Sequence, residues 1–372
     1  MLEKISLNYD LTTMNVQKKF NAFSLRPEKN DARYAWIDYA KGIAIILVVY
    51  RHIAYGLDTW GISLPHGVLA TNDMLYSFRM PLFFLLSGVF FSKSIAKRGV
   101  KSFVFLKINT LLYPYLLWAI IQISLQIVFS RFANSDRSAE DFLNIFLQPR
   151  TLDQLWYLFA LFNVTMLYTL ISVITGNKKI WQLLTGLVFL GLAPYIQNFS
   201  TLYDIALHYI FFAIGDIAAG YFLREQTQQA FAKPKNLLLL APVFGLLQWY
   251  YLYHQHMNGY LFMIIALIGC LFVILLASWL AAIRKMEFLP VIGHYSLYVY
   301  LLHVSIFAGL RAVLLQLGVD NGIALLLILI PSSIFLSIIV YRICVLLKCT
   351  FLFKGSLGEH HTSKKSPHIN LI

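Results

Sequence analysis

The amino-acid sequence predicts an all-α integral membrane protein, a bundle of about ten transmembrane helices with both termini in the cytoplasm. Hydrophobic residues make up 59% of its 372 residues and charged residues only 13%, whereas soluble domains carry roughly 45–50% apolar and about 25% charged residues. Because so few charges cannot cover a water-facing surface, most of the surface is expected to face lipid. The chain is long enough for ten spans of about 20 residues each.

Ten apolar runs of that length follow one another along the chain. Several contain Gly or Pro, which membrane helices tolerate because neighbouring helices satisfy the freed backbone groups. The runs lie at 40–57, 75–92, 108–130, 154–174, 180–196, 203–223, 236–254, 260–283, 294–316 and 323–347. They divide the chain into a cytoplasmic N-terminal tail of residues 1–37, a membrane domain of residues 38–348 and a cytoplasmic C-terminal tail of residues 349–372.

Positive charge alternates from one loop to the next. The connections after spans two, four, six, eight and ten are rich in Lys and Arg, whereas residues 197–202, 255–259 and 317–322 contain none. Basic loops stay in the cytoplasm during insertion, which places both termini there. The net charge of +13 is therefore attributed to basic loops that stay in the cytoplasm. It is not attributed to nucleic-acid binding, because the basic residues form no dense block.

The first span concentrates ionisable residues, which are costly in lipid and are therefore candidates for function. It carries Asp38, Lys41, Arg51 and His52. Lys41 and His52 are eleven residues apart, close to three helical turns, so both point to one face about 16 Å apart along the axis. Asp38 lies one turn before Lys41 on roughly the same side.

This face suits a reaction with an anionic donor. Lys41 at the cytoplasmic mouth can hold a phosphate-bearing molecule, and His52, deeper in the span, can act as a general base near neutral pH. Each residue also has a plainer explanation, since Lys41 can anchor the span end and His52 can form an interhelical hydrogen bond. The adjacent Arg51 favours a polar, hydrated cavity, because two costly residues meet there.

The opening of this span resembles the signature of the acyltransferase 3 family. Ile37, Asp38 and Lys41-Gly precede an apolar run that ends at His52, with ten residues between the Lys and the His. This family comprises membrane-bound O-acyltransferases, mostly bacterial, that modify surface glycans. The Ala-Lys-Gly form is similar to the subgroup of fucose 4-O-acetylase-like proteins.

Three later segments, 80–88, 155–161 and 296–303, resemble further motifs of the family in the expected order. Each also has a structural explanation: close helix packing at Ser87-Gly88, an interfacial anchor at Trp156 and a core hydrogen bond at His303. The resemblance extends from about residue 36 to residue 347.

One position departs from the family pattern. The family often carries two basic residues three apart at the start of the third span, whereas here Lys107 is followed by Thr110. The resemblance therefore implies a donor contact at Lys107 and places the second contact in doubt. Arg79, at the outer start of the second span, can contact an acceptor or can extend to the membrane surface.

The resemblance implies transfer of an acyl group, with acetyl expected, from cytoplasmic acyl-CoA to a hydroxyl of a cell-surface or lipid-linked glycan, at the plasma or inner membrane. Lys41 and Lys107 would bind the donor and His52 would deprotonate the acceptor. Asp38 would orient Lys41 or a donor group, and Arg51 would stabilise the oxyanion or hold the environment of His52. Further expected site-lining residues are Arg79, Ser87, Trp156, Tyr300 and His303. No bound cofactor, metal ion or nucleic acid is expected.

Two other functions remain open. A secondary transporter or flippase for a sugar or anionic substrate would show internal repeats and carboxylates within spans; we find no repeat, and Asp204 and Asp216 are the clearest such acids. A non-enzymatic scaffold would not need Lys41 and His52 on one face. Direct transfer and an acyl-histidine intermediate are both compatible with these residues.

Overall fold

The computed structural model describes residues 34–130, 137–255 and 257–357, and these residues confirm the predicted all-α, multi-pass architecture. Within those ranges ten helices are long and apolar enough to cross a membrane. They are α1 (Ala35–Thr59), α2 (His66–Arg98), α3 (Val100–Val128), α4 (Trp156–Ile174), α5 (Lys179–Ile196), α6 (Ser200–Phe222), α7 (Pro234–Tyr253), α8 (Gly259–Ile283), α9 (Ser296–Gln316) and α10 (Gly322–Leu346). Nearly all of the predicted N-terminal tail and most of the predicted C-terminal tail lie outside the described residues.

Helix α2 begins earlier than the sequence predicts. It starts at His66, nine residues before the predicted start at 75, so part of the predicted connection between the first two spans is helical. The helix is interrupted at Leu75 and again at Phe90, giving three segments, His66–Met74, Tyr76–Val89 and Phe91–Arg98. The first segment is rich in polar residues, so hydropathy alone does not reveal it.

Helix α1 is held at its start by close backbone contacts. The short helix Phe288–His294 packs across it, where a Cβ on Gly42 would lie 2.2 Å from the carbonyl oxygen of Leu289, and a Cβ on Gly293 would lie 1.8 Å from that of Asp38. Only glycine permits this approach. The contact fixes the part of α1 that carries Asp38 and Lys41.

A second close crossing joins α2 to α6. A Cβ on Gly215 would lie 2.1 Å from the carbonyl oxygen of Leu85. Beside this crossing the carboxylate of Asp216 accepts a hydrogen bond from Ser92 Oγ at 2.6 Å and one from Tyr168 OH at 2.7 Å, and it pairs with Lys179. The buried charge is therefore compensated, and α2, α4, α5 and α6 are joined at one end of the bundle.

We call the end of the bundle where Arg98, Lys107, Lys179 and Arg284 lie the basic end, and the other end the distal end. At the basic end α3 contains a π-helical turn, Ile108–Leu112, a distortion that often occurs at functional sites. The segment after α10 packs against this turn. The Asn109 side chain donates to the carbonyl oxygen of Leu357 at 2.8 Å, and the backbone nitrogen of Gly355 donates to the carbonyl oxygen of Asn109 at 2.9 Å.

The close approach of α2 and α6 requires glycine at position 215, and this requirement can be tested. In Gly215→Ala the new methyl group meets backbone that cannot rotate away, so we expect a loss of about 1–3 kcal/mol of stability and a lower thermal midpoint of the purified protein, measured by fluorescence-detected size-exclusion chromatography. The matched control is Gly220→Ala on the same helix, which meets nothing within 4 Å and is expected to leave the midpoint unchanged or slightly raised. Equal midpoints for the two variants would contradict this account of the crossing.

Candidate active site

The predicted functional face of α1 lies on one unbroken helix. Residues Ala35–Thr59 are helical throughout, so Lys41 and His52 are three turns apart, about 16 Å along the axis. Asp38 is buried at the start of this helix, while Lys41 and His52 are partly buried. The helix therefore sets Lys41 near the basic end and His52 in the distal half.

A second histidine lies beside His52. The ring centroids of His52 and His303 are 5.3 Å apart, and His303 is completely buried. Its Nδ1 lies 2.8 Å from the carbonyl oxygen of Val299, an atom that only accepts, so Nδ1 carries the proton and Nε2 is left as an acceptor. Within the described residues Nε2 has no hydrogen-bond partner. The structure thus brings an available lone pair next to His52.

A cavity of about 710 Å³ extends from His52 to the distal end. Its walls come from the distal halves of α1, α3 and α9 and from the segment before α4. Thr59 and Gln316, the last residues of α1 and α9, line it, as do Tyr55 and Asp153. None of its lining residues comes from the basic end. His52 therefore lies at the inner limit of a space that is continuous with the distal surface.

Arg51 also lines this cavity. Its guanidinium group lies 4.6 Å from the ring centroid of Tyr55 and 4.5 Å from that of Tyr76, and its Nη1 is 3.8 Å from Asp73 Oδ1. Stacking on aromatic faces and a nearby carboxylate both compensate a cation. Arg51 is thereby held at the wall, next to His52 in the sequence and in space.

Arg79 is buried between helices and does not extend to the membrane surface. It is 2% exposed, and its Nη1 donates to the carbonyl oxygen of Leu47 at 2.9 Å and to Asn72 Oδ1 at 2.8 Å. Its Nη2 donates to the carbonyl oxygen of Asn72 at 3.2 Å. These bonds tie α1 to the break in α2, and Arg79 is not among the residues that line the cavity.

Two further motif residues occupy the packed interior around His303. The Tyr300 ring lies 6.5 Å from the His303 ring and 5.6 Å from the Tyr157 ring. Ser87 donates its hydroxyl to the carbonyl oxygen of Phe83 on its own helix at 2.8 Å. Tyr300 is therefore a neighbour of the histidine pair, whereas Ser87 bonds within its own helix. The close helix packing expected at Ser87-Gly88 is made by Gly88, where a Cβ would lie 2.1 Å from the carbonyl oxygen of Phe212.

Trp156 belongs to a polar cluster that the sequence does not reveal. The guanidinium group of Arg150 lies 4.7 Å from the Trp156 ring and forms an ion pair with Asp204, with Nη2 2.5 Å from Oδ1. The His208 ring is 5.6 Å from the Trp156 ring. Asp204 is recognisable as an acid within a span, but its partner comes from a loop, which no local pattern shows.

The two predicted donor contacts meet at the basic end. Lys107 lies immediately before the π-helical turn, with its ammonium group 5.3 Å from the Phe103 ring centroid. The positive charges of Arg98 and Lys41 act on Lys107. Three cations from three helices therefore lie near one another at this end, which favours binding of an anion with several charges.

Packed apolar side chains separate this cation cluster from the cavity. Along α1, Ile45 and Val49 are completely buried and Val48 is 5% exposed; all three lie between Lys41 and His52. Within the described residues no group of three or more His, Cys, Asp or Glu could hold a metal ion. The arrangement therefore has a cation cluster at the basic end and, beyond an apolar layer, a histidine pair and a distal cavity.

These features fit a family of known chemistry. The chain matches the family described as an acyltransferase domain over residues 34–342, from the start of α1 into α10. The chain belongs to this acyltransferase family. The match confirms the family predicted from the first span, and the ten apolar helices of the described residues make the chain a multi-pass membrane member of it. No solved structure matches the chain.

Three curated proteins are similar to parts of this chain. The chain is 26% identical over 295 residues to a serine/alanine racemase of Enterococcus gallinarum, covering 73% of this chain and 41% of that protein. It is 26% identical over 202 residues to the nodulation protein NolL of Mesorhizobium japonicum, covering 52% and 50%. It is 27% identical over 210 residues to NolL of Sinorhizobium fredii, covering 55% and 53%. The chain thus spans about half the length of these relatives or less.

The bonds of Arg79 predict a structural role for this residue. In Arg79→Lys a single ammonium group replaces the planar fork, and we expect a loss of about 1.5–3 kcal/mol for hydrogen bonds to a charged donor, seen as a lower thermal midpoint. The matched control is Arg51→Lys, whose ion pair is partly exposed and whose expected loss is at most about 1 kcal/mol. A midpoint that falls equally in both variants would argue against this distinction.

Proposed function

We propose that this acyltransferase moves an acyl group, with acetyl expected, from acyl-CoA bound at the basic end to a hydroxyl of a cell-surface or lipid-linked glycan that enters from the distal end. The basic end then faces the cytoplasm, and the protein lies in the plasma or inner membrane. The observation that carries this proposal is the His52–His303 pair at the inner limit of a cavity of about 710 Å³ that extends to the distal end.

The cation cluster at the basic end supports an acyl-CoA donor. Coenzyme A carries several phosphates, and Lys side chains bind phosphate as point charges. Lys41 and Lys107 come from different helices, and Arg98 lies close to Lys107. Asp38, one turn before Lys41 and buried, orients this part of the site. The thioester end of the donor then reaches along α1 toward His52, about 16 Å from Lys41.

The histidine pair supports general-base catalysis. His303 Nε2 is an available acceptor, so it can take a hydrogen bond from one ring nitrogen of His52 and leave the other ring nitrogen free to face the cavity. That nitrogen removes the proton of the acceptor hydroxyl, whose oxygen attacks the thioester carbonyl carbon. The carbon–sulfur bond breaks, and the CoA thiolate takes the proton back from His52. The product is an ester of the acceptor.

Arg51 and the apolar layer assist this step. The guanidinium group of Arg51 lies on the cavity wall and can stabilise the negative charge that develops on the carbonyl oxygen. The buried side chains of Ile45 and Val49 separate the reacting atoms from water at the basic end, which protects the thioester from hydrolysis. Transfer across the apolar layer requires the acyl arm of the donor to enter it.

Loss of the base predicts loss of transfer. We expect His52→Ala to reduce transfer by about 10²–10⁴-fold, the usual effect of a positioned general base. The measurement is mass spectrometry of surface polysaccharide from cells with the wild-type gene, with no gene and with His52→Ala at matched protein level. The matched control is His254→Ala, since His254 is exposed at the distal end of α7.

The outcomes of that experiment separate the possible functions. An O-acetyl mass increment that appears with the wild type and with His254→Ala, but not with His52→Ala, supports the proposal. An increment that persists in His52→Ala removes His52 from the base position while leaving a transferase. A glycan that is lost or mislocalised, with no acyl difference in any strain, favours a transporter.

Loss of a donor contact predicts a change in KM. We expect Lys41→Ala to raise the KM for acetyl-CoA by roughly 10- to 100-fold, because a charge-assisted contact contributes about 1.5–3 kcal/mol, with a smaller change in kcat. Initial rates of the purified enzyme against acetyl-CoA concentration measure both constants. The control is Lys285→Ala, because Lys285 is exposed at the same end. An unchanged KM in Lys41→Ala would remove this residue from the donor site.

A further inference from the structure

Three polar side chains of the distal cavity meet on one wall. Gln122 and Gln126 lie one turn apart on α3, and Asp153 comes from the segment before α4; all three line the cavity. Gln122 Nε2 donates to Asp153 Oδ2 at 2.9 Å, and Gln126 Nε2 donates to the same oxygen at 3.1 Å. We call these three residues the amide–carboxylate cluster.

The side-chain oxygen of each glutamine in the cluster accepts a hydrogen bond from another residue. Gln154, 1% exposed, donates its Nε2 to Gln122 Oε1 at 3.0 Å. Arg137 Nε donates to Gln126 Oε1 at 3.1 Å. Because both amide oxygens already accept, both amide nitrogens are directed at Asp153, and the cluster is preorganised without a ligand.

Asp153 keeps an acceptor available in this arrangement. Its Oδ2 takes both amide bonds, and its Oδ1 accepts no hydrogen bond from the described residues. The residue has a φ of +50°, a left-handed conformation that is uncommon outside glycine and that clusters at ligand sites. Burial raises the pKa of the Asp153 carboxyl, as expected for a carboxylate facing a largely apolar cavity.

The rest of the cavity complements this cluster. Tyr55, Phe129 and Phe307 line it and offer aromatic faces to the C–H faces of a sugar ring. A carboxylate oxygen and flanking amides bind hydroxyl groups, which donate and accept at once. A carboxylate in such a cavity also repels an anionic ligand. Arg51, the one cation among the described residues that line the wall, is already near Asp73.

We propose that the amide–carboxylate cluster is the acceptor subsite and that it binds neighbouring hydroxyl groups of an uncharged sugar. The inference rests on the proposed transfer to a glycan and adds the class of sugar and its orientation. Asp153 and His52 belong to the wall of the same cavity, at its distal part and its inner limit. The hydroxyl that is acylated is therefore on the side of the ring away from the bound pair.

The test is a binding measurement that does not depend on transfer. Saturation-transfer difference NMR on the protein in lipid nanodiscs would use methyl glucoside, galactoside, mannoside and 6-deoxygalactoside as neutral probes, and methyl galacturonide and glucuronide as matched anionic probes. We expect saturable binding of at least one neutral sugar, with its uronate counterpart bound at least tenfold more weakly. Failure of every neutral probe to bind the wild type would overturn the proposal.

Two variants locate the binding. We expect Asp153→Ala to weaken the neutral sugar at least tenfold, and the nearly isosteric Asp153→Asn, chosen to preserve the fold, to relieve the discrimination against the uronate. The control is Gln316→Ala, which alters the rim of the same cavity outside the cluster and is expected to change affinity less than twofold. Unchanged neutral-sugar affinity in Asp153→Ala, or unchanged discrimination in Asp153→Asn, would overturn the proposal.

A third variant separates this inference from the transferase function. His52→Ala removes the proposed base and is expected to bind the neutral sugar within about threefold of the wild type. If His52→Ala binds sugar but the polysaccharide experiment shows no acyl difference in any strain, the sugar site stands and the transferase proposal fails. If His52→Ala abolishes transfer while the Asp153 variants bind sugar normally, the transferase stands and this subsite fails.

Discussion

A charged side chain inside a membrane bundle has to be compensated there, because lipid offers it no solvent. Three buried charges among the described residues satisfy that constraint with partners distant in the sequence. Asp216 is bonded to Ser92, Tyr168 and Lys179, Asp204 is paired with Arg150, and Arg79 reaches a backbone carbonyl of α1. These bonds set the mutual positions of α1, α2, α4, α5 and α6, and they hold the segment before α4 against α6. His52 and His303, at the inner limit of the cavity, need no such partner, because an imidazole can stay neutral at that depth.

The fold class and the number of spans are both predicted correctly from the sequence. Apolar runs of span length are sufficient to identify the ten helices, and Gly42 and Gly88 mark close helix crossings. The start of α2 is not predicted because residues 66–74 mix polar and apolar side chains, and hydrogen bonds to α1 and to the next segment of α2 hold this part of the helix. Its Asn72 is bonded to Arg79, and Tyr50 of α1 donates to the carbonyl oxygen of Val68 at 2.6 Å.

The candidate site is predictable only along α1. The Lys41–His52 interval is local and follows from helical periodicity. His303 is found by its family motif, but its position beside His52 results from packing between helices far apart in the sequence. The amide–carboxylate cluster carries no sequence signal, since Gln122 and Gln126 lie in an apolar span and Asp153 in a loop. Arg150 also carries no sequence signal, because only folding brings it next to Asp204.

The segment that follows α10 belongs to the folded unit. Phe353 is 1% exposed and lies within 6 Å, ring centroid to ring centroid, of Trp118, Tyr298 and Tyr341, and Trp118 Nε1 donates to the carbonyl oxygen of Leu352 at 2.7 Å. If the chain were cut after Leu346 and fused there to an affinity tag or reporter, Phe353 would be lost. The space among its three aromatic neighbours, beside the π-helical turn, would then be unfilled. Fusion partners used to purify or localise the protein should therefore be joined beyond Leu357.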